Sequence, residues 1–170
     1  MSFIFYILQL LCPSQYASMG VEAPVLLYER SYNQQVHIQA EKVCLARIVF
    51  NESTSESLLG KKLVAQVTIN RVKSGEFQDS ICGAMKAKGA YSFYNPKSKK
   101  SIDKHRKYPV EYTKIAEEAL AGKYEKLISN KVVYFKNCKH YNSFFETLVF
   151  VKKEKRHCFY RNNDIQLARR

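Results

Sequence analysis

The pattern of apolar positions predicts two consecutive helices in the first half of the chain. Residues 38–54 form a mostly apolar run that is long enough for a buried helix, and Glu52 falls in its last turns. Residues 57–74 repeat apolar side chains at helical spacing, and Gly75 follows them as a typical helix stop. Because only a short polar turn joins the two runs, we expect the two helices to pack against each other.

Two further helices are predicted downstream. Asp79 or Ser80 is a candidate N-cap for a short helix that continues through Met85. Residues 111–120 place apolar side chains at helical intervals and end before Gly122, which again fits a glycine stop.

The remaining patterned segments predict a loop and then strands. Residues 86–107 are polar, basic and weakly patterned, and they indicate a long loop that borders the functional site. Short β-branched and aromatic runs follow at residues 132–135, 147–151 and 158–160. Helices first and strands later favour an α+β fold with a small late β-sheet.

Charge narrows the class of partner. The 170 residues fit one domain, and 28 Lys and Arg against 15 Asp and Glu give a formal charge of +13. Such an excess favours a polyanion as partner: nucleic acid, an anionic membrane or an anionic wall polymer. Two basic groups, residues 86–107 and 152–156, are either solvated loops or docking surfaces. The aromatics fall in apolar runs rather than among the Lys and Arg, and no nucleic-acid-binding motif appears, so no specific nucleic acid is expected.

The N-terminus leaves two interpretations open. Residues 3–12 form an apolar run of signal-peptide length, and Ala17-Ser18 offers small residues for cleavage. No Lys or Arg precedes the run, so an uncleaved hydrophobic helix is the alternative. We therefore divide the chain into an N-terminal appendage at 1–37, a catalytic domain at 38–162 and a polar tail at 163–170.

The five cysteines suggest disulfides rather than a metal. If Cys12 leaves with a signal segment, four cysteines remain, with three possible connectivities. We expect that Cys44 and Cys82 lie near each other. The pairs Cys138-x-His140 and His157-Cys158 lack the spacing of common zinc sites, and neither a metal nor a cofactor is predicted.

Glu52 is the candidate catalytic group. A carboxyl in the last turns of a helix lacks the stabilisation that a helix N-terminus gives a carboxylate, and apolar neighbours such as Phe50 would also raise its pKa. A carboxyl with a raised pKa suits proton donation to a departing oxygen. Glu56 is the nearest candidate for a second carboxylate, but we interpret it as an exposed residue at a helix end.

Several short motifs, taken in order and spacing, carry a family resemblance over roughly residues 41–161. The sequence resembles the SleB-type cell wall hydrolases, which are the catalytic domains of spore cortex-lytic enzymes and their single-domain bacterial and phage relatives. The motifs are Cys44-Leu45-Ala46, Asn51-Glu52-Ser53, Val64-Ala65-Gln66-Val67, Asn70-Arg71-Val72, Phe77, Ile81-Cys82-Gly83, Tyr91-Ser92-Phe93, Ile115-Ala116, Ala119-Leu120-Ala121-Gly122, Tyr134 and His157-Cys158-Phe159-Tyr160.

The resemblance implies a lysozyme-like or lytic-transglycosylase-like fold and cleavage of the MurNAc-GlcNAc linkage of peptidoglycan. It assigns Glu52 as the general acid and base. A single carboxylate suffices for a lytic transglycosylase, because the C6 hydroxyl of the muramic acid replaces water; muramidase hydrolysis remains open. The partners would be glycan strands and anionic envelope polymers, and a monomer is the default.

The resemblance also implies substrate-binding positions. Gln66 and Asn70 would face the cleft, and the remaining candidates line the glycan groove: Tyr91, Ser92, Phe93 and Tyr134. Alternatively, Gln66 and Asn70 form a buried hydrogen-bonded pair, and Tyr91 and Phe93 are core aromatics.

The sequence departs from the family pattern at several of these positions. Ala90 stands where the family usually has Gln before the aromatic-Ser pair, and Val133 and Phe135 replace the His that flanks the family's tyrosine. The family tends to carry a tryptophan near the late strands, but this chain has none. The candidate to replace it there is Phe144 or Phe145.

Two non-catalytic alternatives remain: a cationic nucleic-acid-binding protein and a membrane-disrupting protein. A wall-degrading enzyme would act in the cell envelope after export, or would be phage-encoded and delivered at lysis or in a virion.

Overall fold

A computed structural model of the chain describes residues 24–87, 89–91, 93–94 and 107–163. Several features of the sequence lie outside these residues: the apolar run at 3–12, Cys12, Ala17-Ser18 and most of the predicted loop at 86–107. The chain divides into two compact units, Met1–Gln39 and Ala40–Arg170. None of the helices in the described ranges is both long enough and apolar enough to cross a lipid bilayer.

Helix α1 runs from Pro24 to Ser53, so it begins earlier than the apolar run predicts. Its part in the first unit exposes both polar and apolar side chains, including Tyr28 and Tyr32. Its last turns belong to the second unit and are buried on one face, where Ile48 is fully inaccessible to solvent. Glu52 lies in the last turn of this helix, as predicted.

Helix α2, Leu58–Lys73, is the centre of the second unit. Ser57 caps it by accepting a hydrogen bond from the Gly60 N–H at 2.9 Å. Residues 63–71 of this helix are buried on all sides, because two apolar clusters pack against opposite faces. The chain leaves it through Gly75 at φ 70°, a left-handed conformation that glycine adopts without steric cost.

Two shorter helices pack around α2. Helix α3, Ile81–Lys86, is capped by Ser80, and the Glu41 carboxylate accepts hydrogen bonds from the N–H groups of its first two residues at 2.5 and 3.3 Å. Helix α4, Val110–Leu120, ends before Gly122, which has φ 77°. Both predicted glycine stops are therefore confirmed.

The late strands form one antiparallel sheet. Strands β1 (Val132–Asn137), β2 (Val149–Glu154) and β3 (His157–Arg161) are arranged in the order β1-β3-β2. A 3₁₀ helix, Ser143–Thr147, precedes β2. Strand β1 packs on α2, so one face of the sheet closes the core, and Phe159 is completely buried there.

Two disulfides join these elements. Cys44–Cys82 links α1 to α3, and Cys138–Cys158 links the end of β1 to β3. The expectation that Cys44 and Cys82 lie near each other is confirmed.

Candidate functional site

Glu52 is half-buried at the C-terminal end of α1. Burial raises the pKa of its carboxyl, and the positive charge of Arg71 opposes this rise without cancelling it. Within the described residues, the carboxylate has no hydrogen-bond or ion-pair partner. Glu52 therefore keeps its proton to a higher pH than an exposed glutamate, and no side chain in the described part of the chain accepts that proton in a hydrogen bond.

Arg71 is fixed in place by its surroundings. Its side chain is buried, and its Nε donates a hydrogen bond to the Val133 carbonyl at 2.6 Å. The guanidinium carbon lies 5.3 to 5.7 Å from the centroids of three aromatic rings, those of Tyr91, Phe135 and Phe77. The charge that acts on Glu52 is therefore rigidly placed.

A groove of about 560 Å³ opens beside Arg71. This volume falls within the range of small-molecule and oligosaccharide-sized sites. Glu52 is not among the described residues of the lining, whereas Arg71, whose charge acts on Glu52, is one of them. The lining combines rings with polar groups: Phe77, Tyr134, Phe135, Phe144 and Phe145, with Arg71, Glu76, Gln78, Lys136 and Asn142.

Of the predicted substrate-binding residues, Tyr134 lines the groove. Its ring lies 5.8 Å from that of Phe77 and 5.4 Å from that of Phe144. Phe144 and Phe145, the stand-ins for the missing tryptophan, are part of the same lining.

The segment at residues 91–93 contributes mainly to the core. Tyr91 is buried, and its hydroxyl lies 3.1 Å from the Thr68 Oγ1. Phe93 is half-buried and packs against the same core, with its ring 5.7 Å from that of Tyr91. Ser92 lies outside the described residues. The placement of Tyr91 and Phe93 favours the core-aromatic alternative.

Gln66 and Asn70 lie in the interior, with 2% and 1% of their surface exposed. The Gln66 Nε2 donates to the Asn70 Oδ1 at 2.9 Å, and the Asn70 Nδ2 donates to the carbonyls of Ser129 and Val132, both at 3.0 Å. This placement favours the buried pair, which ties α2 to the start of β1, over direct contact with a ligand.

The interpretation of Glu56 as an exposed residue at a helix end is wrong. It lies between α1 and α2 and is 7% exposed. Its carboxylate accepts a hydrogen bond from the Arg156 backbone N–H at 3.1 Å and lies 3.9 Å from the Arg156 Nε. A solvated carboxylate was expected, but the hairpin between β2 and β3 covers it.

His157 is the first residue of β3 and packs against Phe135 and Phe159, with ring centroids 5.3 and 6.1 Å away. Burial lowers its pKa, although the nearby Glu56 opposes the change. Its neighbour Cys158 is bonded to Cys138, so neither cysteine is free to bind a metal.

Comparison with protein-family models places the chain in a family. The model described as cell wall hydrolase matches residues 55–160, more than half of the chain. The chain belongs to the cell wall hydrolase family. The matched residues of this cell wall hydrolase include Arg71 and the groove, and they begin three positions after Glu52.

Two solved structures share the fold. The catalytic domain of the Bacillus cereus SleB protein is 23% identical, covers 72% of this chain and 91% of its own length, and has a TM-score of 0.59. The catalytic domain of a germination-specific lytic transglycosylase, SleB from Bacillus anthracis, is 22% identical, covers 72% and 95%, and has a TM-score of 0.55. A comparison with curated proteins finds no match. The predicted α+β, lysozyme-like fold is confirmed.

Sequence reasoning missed several groove residues of this cell wall hydrolase. Gln78 and Asn142 lie in short polar connections that carry no periodic signal. Only their approach to β1 places them beside the aromatic rings.

Proposed function

We propose that this cell wall hydrolase cleaves the MurNAc-GlcNAc bond of peptidoglycan as a lytic transglycosylase, with Glu52 as the single general acid and base. Its family already indicates peptidoglycan degradation. The observation that carries the finer proposal is a half-buried Glu52 whose pKa burial raises, placed near an arginine that also lines the groove.

The chemistry needs one carboxyl in two protonation states. Protonated Glu52 donates its proton to the bridging oxygen as the bond from that oxygen to the muramic acid C1 breaks. The resulting carboxylate then removes the proton of the muramic acid's C6 hydroxyl, whose oxygen forms a new bond to C1. An anhydro sugar and a free GlcNAc hydroxyl result, and Glu52 regains its proton.

The position of Glu56 supports this one-carboxylate scheme. Most hydrolytic glycosidases use a second carboxylate, either as nucleophile or as the base that activates water. Glu56 is the nearest in sequence, but its Oε2 accepts a hydrogen bond from the Arg156 backbone N–H, and its Oε1 lies 3.9 Å from the Arg156 Nε. The Bacillus anthracis neighbour is a lytic transglycosylase, which points the same way.

The test is mass spectrometry of fragments released from purified peptidoglycan by the wild type, Glu52→Gln and Glu125→Gln. Glu125 is exposed and pairs with Lys73, so its substitution matches the chemical change at a site remote from catalysis. We expect anhydromuropeptides from the wild type and Glu125→Gln, and none from Glu52→Gln. Reducing-end fragments would instead establish hydrolysis, and release by Glu52→Gln would exclude Glu52 as the acid.

Loss of activity in Glu52→Gln should not reflect unfolding. Because the folded state raises the pKa of Glu52, the stability linked to this group is fully present below the unfolded pKa and is lost as pH rises through the folded pKa. Glutamine has no charge to desolvate, so we expect the variant to melt at the same temperature as the wild type or higher at neutral pH. A lower melting temperature would contradict the assigned burial.

A further inference from the structure

The register of the sheet places one aromatic residue from each strand in a single row. Tyr134 of β1 pairs with Tyr160 of β3, and Tyr160 pairs with Phe150 of β2. Directly paired residues lie on the same face of a sheet. The next pair, Phe135 and Phe159, points to the opposite face, where Phe159 is completely buried in the core. The row therefore lies on the outer face.

The 3₁₀ helix before β2 adds two rings, and Phe77 adds a sixth at the groove. Each ring contacts the next, with centroids 5.8, 5.4, 5.5, 5.0 and 5.7 Å apart in order. We call this continuous set the aromatic track: Phe77, Tyr134, Phe144, Phe145, Tyr160 and Phe150.

The aromatic track is rigid but not closed to solvent. Successive rings meet edge to face, with interplanar angles between 65° and 83°. Phe144 and Phe150 nevertheless remain 48% and 54% exposed. A contiguous apolar surface that folding leaves exposed indicates a binding site, and fixed rings lose little entropy when a ligand covers them.

The aromatic track is continuous with the groove. Its first four members line the groove, whereas Tyr160 and Phe150 lie beyond it, across the sheet toward the edge strand β2. A ligand that fills the groove and extends in this direction next meets Tyr160 and Phe150.

We propose that the aromatic track is a glycan-binding surface that holds sugar residues of the same peptidoglycan strand outside the groove. This inference rests on the proposed function for the identity of the ligand. A glycan strand repeats the apolar C–H face of a pyranose along its length, and aromatic faces bind such surfaces while polar groups fix orientation. The aromatic track therefore makes the enzyme bind long strands more tightly than short fragments. Phe150 contacts only those strands that are long enough to extend beyond the groove.

The test measures binding in the Glu52→Gln background, so that no substrate is consumed. The ligands are purified peptidoglycan strands and a disaccharide fragment of them. We expect Phe150→Ala to weaken binding of long strands by about 3- to 10-fold, the size of one aromatic contact, and to leave disaccharide binding unchanged. Phe150→Tyr, which keeps the ring, should bind like the parent.

Tyr28→Ala is the matched control, because Tyr28 is an exposed ring, 69% accessible, in the first unit of the chain. It should leave binding of both ligands unchanged. Unweakened binding of long strands by Phe150→Ala would overturn the inference. So would a parent that self-associates through this surface, shown by sedimentation as a dimer that Phe150→Ala dissociates without any change in glycan binding.

The two proposals fail in different ways. If wild type releases anhydromuropeptides through Glu52 and Phe150→Ala binds long strands normally, only the aromatic track is refuted. If Glu52→Gln still cleaves peptidoglycan while Phe150→Ala selectively weakens the binding of long strands, the catalytic assignment is refuted and the binding surface stands.

Discussion

At the scale of single residues, Glu52 is held between two opposing electrostatic effects. Burial favours the neutral acid, and the charge of Arg71 favours the carboxylate. Burial dominates, so the acid form persists to a higher pH, yet the arginine keeps the ionised form accessible. A group that must give and then regain a proton in one catalytic cycle needs both forms within reach.

This balance predicts how activity depends on pH. Cleavage requires protonated Glu52 at the start, so the rate should fall as pH rises through its raised pKa. Arg71→Gln removes the charge that lowers this pKa, and the alkaline limb of the pH–rate profile should move to higher pH. Arg71→Lys retains the charge and should leave the limb near its wild-type position.

The readout is the release of soluble peptidoglycan fragments at a series of pH values, normalised to the maximum of each variant. Normalisation separates a shift of the alkaline limb along the pH axis from a loss of total activity, which the missing hydrogen bond to the Val133 carbonyl would cause. An alkaline limb that moves to lower pH in Arg71→Gln would contradict the assigned role of the arginine.

At the scale of elements, the turn of the β2–β3 hairpin holds the connection between α1 and α2. Glu56 accepts from the Arg156 N–H, Ser57 donates to Glu154 at 2.7 Å, and Lys155 donates to the Ser55 carbonyl. These contacts join residues about 100 positions apart in sequence. They fix the segment that follows Glu52 directly, so the sheet helps to position the end of α1 that carries Glu52.

Removing the Glu56 carboxylate should therefore destabilise the protein. We expect Glu56→Ala to reduce the free energy of unfolding by about 1–3 kcal/mol, because the Arg156 N–H loses its partner in a partly buried place. Glu125→Ala, which removes an exposed ion pair with Lys73, should cost less than about 1 kcal/mol. Urea unfolding followed by circular dichroism measures both.

Glu56→Gln separates the structural role from a catalytic one. Its amide oxygen can still accept the Arg156 N–H, so cleavage should persist with the same products as the wild type. A folded Glu56→Gln without activity would make Glu56 a second catalytic carboxylate, and would overturn the one-carboxylate scheme.

At the scale of the whole molecule, two disulfides tie the helices and the sheet into their present arrangement. Cys44–Cys82 closes a separation of 38 residues and joins α1, which carries Glu52, to α3, while Cys138–Cys158 closes 20 residues within the sheet. A crosslink stabilises a fold chiefly by restricting the unfolded chain, and more so for longer loops.

Replacing both Cys44 and Cys82 by Ser should lower the free energy of unfolding by about 4 kcal/mol in the chain-entropy model, against about 3 kcal/mol for Cys138 and Cys158. Denaturant midpoints with and without a reducing agent measure the effect. The denaturant midpoint of the reduced wild type should approach the midpoints of the variants. A wild-type midpoint that does not respond to reduction would show that the bonds do not form in solution.

The sequence by itself determined the order of elements and the place of Glu52, the proposed catalytic residue. Helical spacing predicted α2 and α4 almost to their ends, because glycines at positive φ stop both helices whatever packs around them. The last turns of α1 were likewise set by a local pattern, which put Glu52 at the end of a buried run. Such features depend on neighbours within a few residues along the chain.

Only the tertiary structure decided which polar residues are buried and which aromatics face outward. Glu56 appears solvated in sequence because its cover, Arg156, lies 100 positions away. Gln66 and Asn70 lie one helical turn apart, so the sequence predicted that both face the cleft. In the structure, the Asn70 amide instead donates a hydrogen bond to the Val132 carbonyl at the start of β1. The aromatic track exists only because strand register aligns Tyr134 with Tyr160 and Phe150. Periodicity identifies the faces of an element, but the elements that cover each face are chosen by packing between distant parts of the chain.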